Sequence, residues 1–169
     1  MLQYLSINNY VLIDTVEINF SKGFSVITGE TGSGKSILLG ALQLILGERA
    51  DTKVIFDKKR KCIIEASFGI KKYNLSKLFS KYDIDFDANQ TIIRREIYFN
   101  GKSRAFINDS PVKLDVLKAF SSKVIDIHSQ HQSLLINKTN YQIQLIDRLA
   151  SIKIEDHKYY IDAFQSSLK

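Results

Sequence analysis

Gly29-Glu30-Thr31-Gly32-Ser33-Gly34-Lys35-Ser36 is the stretch from which the rest of this chain can be read. Each fixed position of the phosphate-binding pattern G-x-x-x-x-G-K-[ST] is filled. The apolar run Phe24-Ser25-Val26-Ile27 precedes it and Ile37-Leu38-Leu39 follows. That framing predicts a strand, a loop and a helix, the context in which the pattern has its chemistry. Glycines let successive backbone N–H groups turn toward one centre, and the helix that follows adds the positive end of its dipole. Lys35 is then placed for the β- and γ-phosphates, and the Ser36 hydroxyl for Mg²⁺. A glycine turn that merely caps a helix needs no lysine and hydroxyl at these two positions. Residues 29–36 are therefore expected to bind a nucleoside triphosphate.

Working outward, the helix from Lys35 to about Leu46 is apolar on nearly every side, which predicts burial all round. Gly40 in its middle costs roughly 1 kcal/mol against alanine, so something is expected to pack closely there. Gly47 is a natural stop. Upstream, residues 2–8 and 15–20 read as strands, the second with Val16, Ile18 and Phe20 alternating against Glu17 and Asn19. Residues 24–28, apolar without alternation, suit a central strand covered on both faces. An antiparallel pair ahead of the loop sets the chain apart from simple phosphate-loop kinases and small GTPases, which start closer to theirs.

Downstream the expected order is a strand at 52–56, a basic turn at Lys58-Lys59-Arg60-Lys61 and a strand at 62–70. A short helix at 75–82, capped by Asn74, comes next. Strands at 91–99 and 103–107 flank the turn signal Asn100-Gly101. Ser110-Pro111 marks a loop before a helix at 113–120 and a buried strand at 123–127. Thr139-x-x-Gln142 reads as a capping box opening a helix through Leu149. From about Glu155 a last helix carries the stripe Tyr160, Ile161, Phe164, Leu168, which fits a surface helix or the root of a coiled coil.

With 169 residues, 44% hydrophobic and 25% charged, the chain has the make-up of one soluble globular domain or part of one. It has no apolar run of 18 residues to span a membrane. Met1-Leu2-Gln3-Tyr4 lacks the features of a secretion signal, so a cytoplasmic location is expected. A single cysteine, Cys62, excludes a disulfide framework and reads as a small buried hydrophobe. The net charge of +6 is compatible with nucleic acid. Lys58-Lys59-Arg60-Lys61 reads either as a solvated turn or as a contact to a phosphate backbone. Arg94, Arg95 and Arg104 read as cross-strand charge on a solvated face. His128 and His131, with no further ligand type nearby, do not make a zinc site.

Several separated stretches share one resemblance. They are Leu5 to Asp14, Thr28 to Leu39, Leu46-Gly47-Glu48-Arg49-Ala50-Asp51, Arg94-Arg95-Glu96-Ile97, Ser103 to Asn108, and Asp126-Ile127-His128-Ser129-Gln130-His131-Gln132. In this order they resemble the N-terminal head segment of the RecN family of bacterial DNA repair proteins, whose wider relatives are the SMC and Rad50 proteins. The resemblance implies an α/β fold, a P-loop NTPase of ABC/SMC head type. Its mixed sheet would lie around a buried Walker A helix, with antiparallel strands added, and only the N-terminal half of the head would be present. Residues 1–150 would form that lobe and 151–169 the start of a coiled-coil helix.

It implies ATP and Mg²⁺ as cofactors, held by Gly29, Glu30, Thr31, Gly32, Ser33, Gly34, Lys35 and Ser36. Gln130, with Gln132 as competitor, would be the Q-loop glutamine that touches Mg²⁺ and the attacking water. It also implies a homodimer of heads with ATP between them, coupled to DNA at double-strand breaks, in a nucleoid-associated protein without membrane contact. The sequence departs from the family pattern at Ser129, where glycine is common, and at Phe56, near the place of an arginine.

No LSGGQ-like signature and no apolar run ending in Asp-Glu occurs. Asp126 invites a reading as a Walker B aspartate, but Ile127 follows it where an acid is needed. The resemblance therefore assigns the catalytic base and the signature to a C-terminal half of the head, and no catalytic residue to this chain. Other readings are a different SMC-, Rad50- or RecF-like ATPase, a self-sufficient P-loop kinase or GTPase, or a DNA-binding module with a vestigial loop. The missing Asn-Lys-x-Asp motif and the leading strand pair argue against the kinase or GTPase.

Overall fold

The computed structural model describes residues 1–29, 34–125, 127, 142–143, 146 and 154–167. The chain divides into two compact units, Met1–Ile127 and His128–Lys169. In the first, strands β1 (Leu2–Tyr10), β2 (Ile13–Asn19), β3 (Cys62–Phe68), β4 (Thr91–Ile97), β5 (Ser103–Ile107) and β6 (Ser110–Val112) form one sheet in the order β2-β1-β3-β4-β5-β6. Every pairing is antiparallel. Helices α1 (Lys35–Ile45), α2 (Ser76–Lys81) and α3 (Leu114–Val124) belong to this unit, and α4 (Ile154–Ser167) to the second.

Alternation along the strands sets the layers. Leu5 and Ile7 of β1 stand in register with Ala66 and Ile64 of β3, and these with Ile93 and Arg95 of β4. The apolar members of these rows are buried in one core with Ala41, Leu44 and Ile45 of α1, Phe79 of α2, and Leu117, Phe120 and Val124 of α3. Phe120 meets Phe68 and Phe79 edge-on, at centroid distances of 6.3 and 5.8 Å. Such pairs add about 0.5–1.5 kcal/mol beyond their area.

The Walker A helix is fully buried only along Ala41, Leu44 and Ile45. Ile37, Leu38 and Leu42 are half-buried, because the sheet covers one side of it. Its end is as expected. Gly47 has φ +97°, its N–H bonds the Leu44 carbonyl, and the Glu48 N–H bonds that of Gln43. This is the paired closure a left-handed glycine provides.

Gly40 sits under Tyr10: a Cβ there would come 2.7 Å from the Tyr10 hydroxyl oxygen and 3.9 Å from Cζ. Tyr10 is buried. Gly40→Ala gains about 1 kcal/mol of helix propensity but overpacks at a cost of about 1–3 kcal/mol. It should therefore leave the protein unchanged or less stable, by up to about 2 kcal/mol. In a Tyr10→Phe background the same substitution should stabilise by about 1 kcal/mol. Denaturant titration of the four proteins checks this, and a cycle without that change would refute the close approach.

Several expected elements differ. Residues 52–56 are not a strand: Thr52–Val54 make a 3₁₀ turn, with the Asp51 carboxylate accepting from the Lys53 N–H at 3.0 Å, and only Ile55 bridges to Tyr10. Asn74, at φ +47°, does not cap α2, which starts after Leu75 without a side-chain cap. Ser110-Pro111 is strand, not loop. The turn lies at Asn108-Asp109, both left-handed (φ +46° and +62°), as a two-residue hairpin requires. Pro111 falls on the edge strand, where a missing N–H costs no ladder bond.

Lys123 and Val124 close α3 instead of opening a strand, and Ile125 is extended. Most consequential, residues 24–28 form no strand. Residues 21–29 are exposed, Phe24 by 92%. A strand needs a neighbour to satisfy its backbone, and no described strand lies beside this run. In α4 the exposed Tyr160 and Phe164 stack at 6.3 Å. The capping box at Thr139, the stripe residues Ile161 and Leu168, and His128 and His131 lie outside the described residues and side chains.

Candidate functional site: the phosphate loop and its surroundings

Gly34 opens α1 at φ +96°, a conformation that favours glycine. Its carbonyl accepts from the N–H groups of Ile37 and Leu38 at 3.0 and 3.1 Å, which starts the helix. The helix has no side-chain cap and no acid in its first turn. The N–H groups of Lys35 and Ser36 and the positive dipole end thus meet no side-chain cap among the described residues. Lys35, the first helical residue, folds its Nζ back to donate to the Gly29 carbonyl. The two ends of the eight-residue motif therefore meet, with exposed Ser36 beside them. Glu30, Thr31, Gly32 and Ser33 lie outside the described residues, as do Asp126, Gln130 and Gln132.

Next to Gly34 opens a groove of about 580 Å³. Leu12, Ile13 and Val16 form one apolar wall and Ile37 and Leu38 the other, with Asp14 and Thr15 as polar members. Its size is that of a small-molecule site. Sequence reasoning missed it, because the β1–β2 turn carries no motif.

The basic turn is a built structure. Asn9, buried at φ +58°, donates from Nδ2 to the carbonyls of Asp57 and Arg60 at 2.9 and 2.8 Å, and its Oδ1 accepts from the Asp57 N–H at 2.6 Å. Arg60 pairs with Asp14 at 2.5 Å and with Asp57 at 3.2 Å, and these bonds raise its pKa. Lys61 pairs with Glu96 at 2.9 Å. Half of the basic run is thereby neutralised.

On the outer sheet face Arg94 pairs with Asp109 at 2.9 Å and lies over the Phe106 ring, while Arg104 lies over Tyr98. Burial pushes Glu96 up, but bonds from Lys61 and Tyr98 and the nearby charges outweigh it, so its carboxyl sits below its usual value. Arg95 corrects the expectation of a solvated charge. It faces the core, is 1% exposed, and its Nε and Nη2 have no hydrogen-bond partner among the described residues. Desolvation lowers its pKa.

Cys62 is buried, and burial pushes its thiol up to about 12. The folded protein should therefore resist a thiol reagent such as Ellman's at about pH 8 and react promptly once unfolded. Rapid labelling of the folded form would refute this.

Among the described residues no group of three or more His, Cys, Asp or Glu side chains is placed to hold a metal. No described helix is long and apolar enough to cross a membrane.

Residues 1–130 match the family described as RecF/RecN/SMC N terminal domain. The chain belongs to that family. Among similar proteins, the DNA repair protein RecN of Haemophilus influenzae is 39% identical over 154 residues, covering 89% of this chain and 28% of the relative. RecN of Vibrio cholerae is 36% identical, covering 94% and 29%, and RecN of Bacillus subtilis 30%, covering 100% and 30%. The chain thus spans under a third of the length of these relatives. Among solved structures, an Smc head domain with a coiled coil and joint from Pyrococcus yayanosii shares the fold at TM-score 0.62 and 23% identity, over 97% of this chain and 35% of that one. A structure reported under ATP-driven dimerization and DNA stimulated activation of SMC ATPases shares it at TM-score 0.57 and 20% identity, over 95% and 97%. These neighbours show the fold, which is shared with SMC head structures.

Proposed function

We propose that this chain is the ATP-binding N-terminal lobe of a RecN-type ATPase head that acts in the repair of DNA double-strand breaks. The observation that carries the reading is the uncapped start of α1, with Gly34 left-handed and Lys35 Nζ lying across to Gly29. In this reading the amides from Gly29 through Gly34, including those of Glu30, Thr31, Gly32 and Ser33, hold the phosphates. Lys35 would offset their charge, and Ser36 and Gln130 would hold Mg²⁺. The groove between β2 and α1 takes the base. ATP and Mg²⁺ supply the phosphoryl group and its charge neutralisation. The chain's own residues bind and orient them, and the base that activates water belongs to a C-terminal half of the head.

The bare apolar run Phe24 to Ile27 supports that division, since it has the composition of a covered strand. In the full-length protein the two halves would form one head, two heads would close on ATP, α4 would lead into the coiled coil, and DNA would be the macromolecular partner. Location would follow the nucleoid. The test is calorimetric titration of the chain with Mg-ATP, alongside a turnover assay. Binding with negligible hydrolysis is expected, whereas steady turnover would favour a self-sufficient kinase or GTPase. Absence of any heat of binding, in the chain and in a longer form that adds the C-terminal half, would overturn the reading.

A further inference from the structure

Between α2 and α3 lies a second open groove, of about 410 Å³. Lys77 and Lys81 of α2 line it, as do Lys123 of α3 and the rings of Tyr73 and Tyr82. Its base is fixed to the core through Leu75, which is buried. All three lysines are exposed, and among the described residues no acidic side chain lines the groove. The acids that follow α2, namely Asp83, Asp85 and Asp87, stand outside its lining.

Elsewhere on the surface some basic side chains are paired, while Lys58 and Lys59, like the groove lysines, have no carboxylate within 4 Å among the described residues. Arg60, Lys61 and Arg94 each have a carboxylate within 4 Å, whereas among the described residues Lys77, Lys81 and Lys123 have none. Three of the chain's 24 Lys and Arg residues thus share one groove that has no carboxylate in its described lining. Lys77 and Lys81 are one helical turn apart and advance about 6 Å along the axis. That distance is close to two nucleotides of one strand of B-DNA, at about 3.4 Å of rise each. Lys81 Nζ lies over the face of the Tyr82 ring, 5.4 Å from its centre. Leu75 is buried and Leu78 and Ala119 are half-buried, and the exposed members of the lining are polar or charged apart from the Tyr82 ring. Phosphates in a row, met by separated lysines and by tyrosine hydroxyls, are the ligand this face fits.

We propose that the α2–α3 groove is a contact surface for the phosphate backbone of duplex DNA, with Lys77, Lys81 and Lys123 each neutralising a phosphate. The proposal rests on the reading of the protein as one that acts on DNA, and gives that action a place on the molecule.

The experiment is a fluorescence-anisotropy titration of the 169-residue chain with a fluorescein-labelled duplex of about 30 base pairs, from roughly 50 to 200 mM salt. Lys77→Gln/Lys81→Gln/Lys123→Gln is compared with Lys53→Gln/Lys58→Gln/Lys59→Gln, which removes the same charge elsewhere. The groove variant should flatten the slope of log affinity against log salt by roughly 2–3, at about 0.9 for each phosphate it no longer neutralises, with its melting temperature unchanged. The control should keep most of the parent slope. Equal weakening in both variants, or none in the groove variant, would overturn the groove while leaving DNA as partner. No binding by the parent chain would overturn the groove and count against DNA as well. Binding to phosphatidylserine vesicles that depends on the same lysines, with DNA binding unaffected, would overturn the assignment in favour of a membrane surface.

Discussion

Lys35→Ala should lower the affinity for Mg-ATP by about 100-fold while leaving the melting temperature where it was. The size follows from what the side chain does in the proposed site. Its Nζ already leans across the loop to the Gly29 carbonyl, so it stands where the β- and γ-phosphates would arrive. Two charge-assisted bonds at about 1.5 kcal/mol each come to about 3 kcal/mol, or some two powers of ten in affinity. The side chain is exposed, so its loss leaves no cavity. Lys35→Arg should recover little, because a planar fork does not replace a compact point charge inside a tight ring of amides. Calorimetry on the three proteins decides the matter. An alanine variant within about three-fold of the parent would show that the loop is not where the nucleotide is held.

Arg95→Met should make the chain more stable, by about 1–4 kcal/mol. A guanidinium with 1% exposure and two nitrogens unbonded carries a desolvation cost without the return that a partner would give. Methionine has nearly the same reach and fills the space beside Ile64 and Ala105, its neighbours in register. The rise in melting temperature should be about 2–4 °C per kcal/mol for a chain of this size. A fall of similar size would mean that the guanidinium is satisfied by groups outside the described residues.

The phosphate-binding pattern stands out in the sequence because its chemistry demands fixed residues at fixed spacing, and the structure describes its Gly29 and its Gly34-Lys35-Ser36 end. The strands β1 to β5 were legible because one face of each turns to the core, half-buried on β2, and side chains alternate. Gly40 and Gly47 were legible because a glycine in or after a helix needs a reason. Arg95 was misread because its charge was given more weight than its parity. Thr91, Ile93, Arg95 and Ile97 share one face of β4, and the other three are buried, Ile93 and Ile97 in the apolar core.

The end of α3 was misread for a similar cause. Val124 belongs with Leu117, Phe120 and Ser121 in a helical period, yet the short apolar run that follows also suits a strand. At Asn108-Asp109 two left-handed residues make the turn by themselves, immediately ahead of the proline that signals a loop in the sequence. The groove beside Gly34 could not be read at all. It arises where a turn comes to rest against a helix more than twenty positions away, and no local pattern encodes that.

The solvent-facing run that leads into the phosphate loop has a consequence for biosynthesis. If its covering strand comes from the far end of the same polypeptide, several hundred residues must be translated before the two can meet. At about 5–20 residues per second that is on the order of half a minute, during which Phe24, Val26 and Ile27 stay in water. On a polysome, where sister chains emerge side by side, such a run is a ready template for pairing with its own copies. The nascent protein would then depend on a chaperone holding this segment until the other half of the head emerges.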